Sequence, residues 1–189
     1  MVGNGDAGSA GAAVASGFMS QPIEERRRPP FVADERTQIV GWLDLQREIV
    51  RWKCTGVSEA DAHRVVIPTS PLMTVAGIVS HLCSVENTWF EVAFLDRPKA
   101  EAQFDDPDSD MRVEGVSLTQ LLESYQRQCV VSNEIIAAHS LDEAGRYTGW
   151  PAGRASLRWM LHHMLEETAR HAGHLDLLRE LLDGEKGYY

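Results

Sequence analysis

Several signals of common functions are scarce or missing from this chain. Cysteine is rare: Cys54, Cys83 and Cys129 are far apart, odd in number and form no CxxC pair. That pattern argues against a disulfide framework and reads as reduced core thiols in a cytosolic protein. Positive charge is also short. Eighteen Lys and Arg stand against 28 Asp and Glu, a formal net charge of −10, and the only dense basic run is Arg26-Arg27-Arg28. The electrostatic footprint of a nucleic-acid or anionic-membrane binder is therefore missing. No apolar run approaches the length of a membrane span. The N-terminus lacks early Lys or Arg and a leucine-rich stretch, so no signal peptide is expected and the cytoplasm is the expected location. Strand signals are weak, and no internal repeat is visible.

What remains is helix. A chain of 189 residues suits one domain with a tail. Residues 1–30 are expected to be disordered: Gly, Ala and Ser dominate to Gly17, and such a composition buries too little apolar surface to offset ordering entropy. Met19 is a candidate alternative start. Residues 31–189 are expected to form a four-helix bundle. The first helix spans about Asp34 to Cys54, stopped near Gly56. Pro68 and Pro71 break the linker that follows. The second spans about Thr74 to Leu95, and the acidic stretch from Lys99 to Val116 reads as loop. The third spans about Ser117 to His139 and opens with a Ser117/Gln120 capping box. The fourth spans about Ala155 to Asp183, with Gly184 in the position where glycine closes a helix. All-α architecture with long connections after the first two helices points to a bundle.

On a wheel at roughly 100° per residue, Leu157, Met160, Met164, Leu175, Leu178 and Leu182 fall within about 60° and form the core stripe of the last helix. Glu167 and His171 lie on or beside it, four residues apart and so on the same face. His163 and His174 lie at one edge, and His162 is on the polar face. An ionised carboxylate is not buried unless paired or metal-bound, so Glu167 needs a partner. On the second helix His81 points with Ile78, Val85 and Val92. Three nitrogen and oxygen donors converging from two helices suit Zn²⁺, Ni²⁺, Fe²⁺ or Mn²⁺ and leave positions open for water or substrate. The residues alone leave two alternatives: a hydrogen-bonded core histidine at His81, and a Glu167–His171 ion pair at the bundle end.

The run Leu72-Met-Thr-Val-Ala-Gly-Ile-Val-Ser-His81-Leu, with Glu86 and Trp89-Phe90 after it, resembles the second helix of the DinB/YfiT-like superfamily. The match is nearer to its mostly actinobacterial branch of mini-circle proteins. The run from Ser156 to His174, followed by Asp176-Leu-Leu-Arg-Glu, is similar to that branch almost residue by residue. The resemblance covers about Asp34 to Gly184. It implies a four-helix bundle holding a metal with one histidine from the second helix and a pair four apart on the last, which places the ligands at His81, Glu167 and His171. Many members carry histidine where this chain has Glu167; the mycothiol-dependent maleylpyruvate isomerase branch carries glutamate. The departure implies a harder, one-carboxylate set, with zinc the expected ion.

The resemblance also implies chemistry with a low-molecular-weight thiol such as mycothiol, bacillithiol or a glutathione-like compound. The expected activity is a metal-dependent S-transferase or isomerase acting on small electrophiles. The rivals are a noncatalytic metal-binding or stress-associated protein and a metal-dependent hydrolase, the latter weakened by the lack of a separate general base. Arg154, Arg158 or Arg170 could hold a carboxylate. Trp150, Trp159 and Trp89 are candidates for a pocket wall, although such residues more often serve packing. His163 and His174 are candidates to orient a ligand. A homodimer is expected.

Overall fold

The computed structural model describes residues 28–98, 108–149 and 151–187. The expected tail therefore lies almost wholly outside the described residues, as does Trp150. The chain is all-α, and its helices are α1 (Glu35–Lys53), a short α2 (Glu59–Ala62), α3 (Val75–Glu86), α4 (Leu118–Ala138) and α5 (Leu157–Leu182). The end signals read from the sequence act locally. Asp34 accepts from Thr37 N to cap α1, Ser117 and Gln120 form a reciprocal capping box on α4, and Ser156 caps α5. Gly184 adopts φ +78°, a left-handed conformation that costs a side-chain-bearing residue more than glycine.

The second long helix is not uniform. After Glu86, α3 continues as a π-helical segment, Asn87–Phe94. Such segments wind on i→i+5 hydrogen bonds and are frequent at functional sites. The loop before α5 satisfies the carbonyls at the segment's end: Arg146 N donates to Phe94 O at 3.0 Å and Tyr147 N to Ala93 O at 3.1 Å. Gly145 permits this approach, because a Cβ there would lie 2.6 Å from Ala93 O.

Helix directions follow from two apolar clusters. At one end Ile39 and Leu43 of α1 pack with Phe90, Ala93 and Phe94, with Ile135 and Ile136 of α4, and with Leu157 to Met164 of α5. At the other, Ile49, Val50 and Cys54 pack with Val75 to Leu82, Leu118 to Tyr125, and Ala172 to Leu178. So α1 and α5 run one way and α3 and α4 the other, and the α3–α4 connection must cross the length of the bundle. Between the clusters sits a polar waist. Arg47 and Glu86, 3% and 0% exposed, form a two-pronged ion pair: Nε to Oε1 and Nη2 to Oε2, both 2.7 Å. The remaining guanidinium nitrogen, Nη1, donates to Asp44 and Asn133.

Candidate metal centre

α3 begins at Thr74, whose hydroxyl accepts from Gly77 N, and this start fixes the register that brings His81 round to face α5. Because α3 and α5 are antiparallel, His81 lies opposite the middle of α5. There Glu167 and His171, four apart, project from one face. His81 Nε2 lies 3.1 Å from Glu167 Oε1, and His171 Nε2 lies 3.2 Å from the same oxygen. One donor atom from each of the three residues can be chosen so that all lie within 4.8 Å of one another. Tetrahedral sites with bonds of about 2.0–2.1 Å place their donors roughly 3.3 Å apart, so the residues present fit a small divalent ion. The side chains are 13–21% exposed. The triad therefore sits at the rim of the core stripe, where solvent or substrate can reach it.

Two further residues hold the imidazoles. Asp110, in the 3₁₀ turn Ser109–Met111 of the acidic connection, lies 3.0 Å from His81 Nδ1 through its Oδ2. His174 Nδ1 lies 3.3 Å from His171 Nδ1. When His81 Nδ1–H donates to Asp110 in the neutral imidazole, the Nε2 lone pair of His81 faces the Glu167 carboxylate. Two acceptors then meet across 3.1 Å, and the pair needs a cation between them, either a proton or a metal ion.

The titration pattern reflects that deficit. Burial lowers the His81 pKa, but hydrogen bonds to Asp110 and Glu167 outweigh it and hold the imidazole above its ordinary value. For Glu167 burial pushes upward, while the His81 hydrogen bond and the nearby His171 carry the carboxyl below its usual range. His171 is lowered, by burial first and then by repulsion from His81. The two histidines thus share the neighbourhood of one carboxylate unequally.

The other sequence candidates scatter. His163 lies one turn from Glu167 but touches Trp89 and Trp159 instead of the triad. Arg158 is engaged by Glu35 and Asp142, and Arg170 by Glu166, all on the outer surface. Cys83 is half-buried and lines a polar cleft of about 410 Å³ between α3 and α4, together with Ser80, Ser84, Ser124 and Asp110. Asp110, which lines that cleft, also contacts His81 of the triad. Burial pushes the Cys83 thiol up to about 11 and Cys54 up to about 12, which suits inert thiols. Asp110 was missed in the sequence because nothing in a loop's spacing tells which helix it will meet. Arg47 was missed because its partner Glu86 is 39 residues away.

A family model described as mycothiol-S-transferase matches residues 38–184, a span that contains all four long helices almost entire and every residue of the triad. The chain belongs to the mycothiol-S-transferase family. The family match covers Asp110 and His174 as well as the three candidate ligands. No curated protein matches the chain. A solved structure, described as the conserved protein of a locus from Enterococcus faecalis, is similar with a TM-score of 0.59 and 13% identity, over 82% of this chain and 100% of that one. At that identity the likeness shows a shared fold. No helix among the described residues is long and apolar enough to cross a membrane.

Proposed function

We propose that this member of the mycothiol-S-transferase family holds one divalent ion, zinc in the first instance, with His81, Glu167 and His171, and transfers a low-molecular-weight thiol to a small electrophile. The observation that carries the reading is the convergence of two imidazoles and a carboxylate at metal-donor spacing on a partly exposed rim. When bound, such an ion lowers the pKa of a coordinated thiol so that thiolate is available at neutral pH. Three protein ligands leave room for that sulfur. The chain supplies the rest. Asp110 fixes the His81 ring through Nδ1 and keeps Nε2 aimed at the site. His174 restrains the ring of His171.

In the group transfer, the thiolate sulfur forms a new bond to the electrophilic carbon. The carbon–halogen or epoxide carbon–oxygen bond breaks, and its electron pair leaves with the halide or oxygen. The thiol proton passes to solvent at the open rim, or finally to the ring-opened oxygen of an epoxide. No oxidant or reductant is needed.

The test is a two-part measurement on protein purified without chelator. Elemental analysis should find about one transition-metal ion per chain, lost in His171→Ala. Calorimetry and turnover should then show binding of mycothiol, bacillithiol or glutathione and conversion of a chloro- or epoxide electrophile. Metal without thiol binding would leave a noncatalytic metal-binding protein. Absence of any bound ion, with no effect of added Zn²⁺ on the melting temperature, would overturn the ligand assignment.

A further inference from the structure

The face that α3 and α5 share continues past the triad. Trp159, His163, Glu167 and His171 follow one another at four-residue steps along α5, so Trp159 lies about 12 Å below Glu167 along the helix axis. On the opposing helix Trp89 is eight residues beyond His81. The antiparallel pair thus builds two rungs on one face. In the first, His81 meets Glu167 and His171. In the second, Trp89 meets His163, ring centroids 4.7 Å apart and edge-on, and Trp159, centroids 5.3 Å apart. Val85, one turn from both His81 and Trp89, is half-buried between the rungs and packs down onto the core.

The π-helical segment contributes to this alignment. Eight residues of α-helix at roughly 100° each would leave Trp89 about 80° away from His81. Wound on i→i+5 bonds from Asn87 onward, the chain turns less per residue, and Trp89 comes back toward the His81 face. Trp159 is 52% exposed, yet it is held by stacking on His163 at 22° and 5.4 Å. Ordered aromatic surface left in solvent is a platform for another ring.

We propose that Trp89, Trp159 and His163 form the acceptor subsite on this face, and that the electrophile it takes carries a flat aromatic or conjugated ring. The inference rests on the S-transferase reading for the identity of the ligand as an electrophile. A ring stacked at the second rung places its substituents along this face toward the thiol site at the first.

Equilibrium dialysis with 1,3-dinitrobenzene, a flat ring without a leaving group, tests the subsite apart from catalysis. The full-length metal-loaded protein should bind it saturably. Trp159→Ala, at a half-exposed position and with its fold checked by circular dichroism, should weaken binding by up to about tenfold. His171→Ala should leave binding near the wild-type value. In turnover, Trp159→Ala should lower the ratio of kcat/KM for 1-chloro-2,4-dinitrobenzene over that for an aliphatic chloride, chiefly through KM. Unchanged dinitrobenzene affinity in Trp159→Ala overturns the subsite. So does a dimer that dissociates on that substitution, because it assigns the cluster to self-association. Saturable, Trp159-dependent binding with no turnover of any thiol would keep the aromatic site and remove the S-transferase reading instead.

Discussion

Five residues apart on α3, His81 and Glu86 enter two polar clusters that solve opposite problems. At the waist, Glu86 is fully buried and its charge is met from within the chain, by a guanidinium that grips both carboxylate oxygens. At the rim, Glu167 faces two imidazoles whose only guaranteed positive charge is a borrowed proton. The first cluster is complete; burial works against the Arg47 charge, yet Glu86 holds its pKa above the ordinary value. The second is balanced by a proton shared with His81 and is partly open to solvent. Closed charge balance in the interior marks a structural pair, whereas a proton-dependent balance at the rim suits the ion proposed above. The comparison can be broken at either end.

The largest effect belongs to the waist. Arg47→Met leaves Glu86 buried without a partner and should cost about 3–5 kcal/mol of stability in urea unfolding, while the double change Arg47→Met with Glu86→Leu should recover most of it. Glu167→Gln in metal-free protein should cost under about 1 kcal/mol, since its partners are imidazoles at a solvent-reached rim and the amide can still bond to them. Equal losses at the two sites would remove the distinction between a closed and a proton-dependent cluster.

The next effect belongs to the rim. Zn²⁺ at a hundredfold excess over its dissociation constant should stabilise the folded protein by about 2.7 kcal/mol, and His171→Ala should abolish that gain. Asp110→Asn keeps all three proposed ligands but replaces the carboxylate at His81 Nδ1 with a neutral amide, a weaker acceptor, so metal affinity should fall by up to about 10–100-fold. A chelator competition titration reads this directly. Wild-type affinity in Asp110→Asn would mean that the His81 ring is held by packing alone.

How much of this was legible in the sequence differs between the two clusters in the same way. The helix ends were legible because their signals are local: Asp34, the Ser117–Gln120 box and Gly184 act within a turn of where they stand. The rim pair on α5 was legible because a four-residue step fixes a shared face, and the core stripe beside it fixed which face. The waist was not. Arg47 interrupts an apolar face, and the charge that excuses it comes from a different helix. Asp110 sits in an acidic connection where position in sequence says nothing about contact. The π-helical stretch was also hidden, since a change of winding leaves the apolar pattern of residues 74–95 looking like one helix. Local codes could be read; long-range pairings and changes of winding could not.

The smallest effect is a pH dependence, and it separates the clusters most finely. In metal-free protein the His81 pKa is raised above 6.5, so its contribution to stability is complete below 6.5 and disappears as pH climbs through the folded value. Glu167 is lowered below 4.5; its contribution holds above 4.5 and is lost as pH falls through the folded value. His171, lowered from 6.5, favours the folded state above 6.5 and loses that as pH falls, so it partly cancels His81. Asp110→Asn weakens the leading attraction on His81 and spares the other two. Metal-free wild type and Asp110→Asn should therefore differ by under about 1 kcal/mol near pH 5.5, and the difference should shrink toward pH 9. The His81 proton-NMR midpoint should move down in the variant. Bound metal reverses the sense, because ligation needs neutral imidazoles and protons compete with the ion; affinity should climb with pH through the same window in which the metal-free cluster loses its His81 contribution. A pH-independent difference between the two metal-free proteins would show that Asp110 acts through packing, and the rim would then be as closed as the waist.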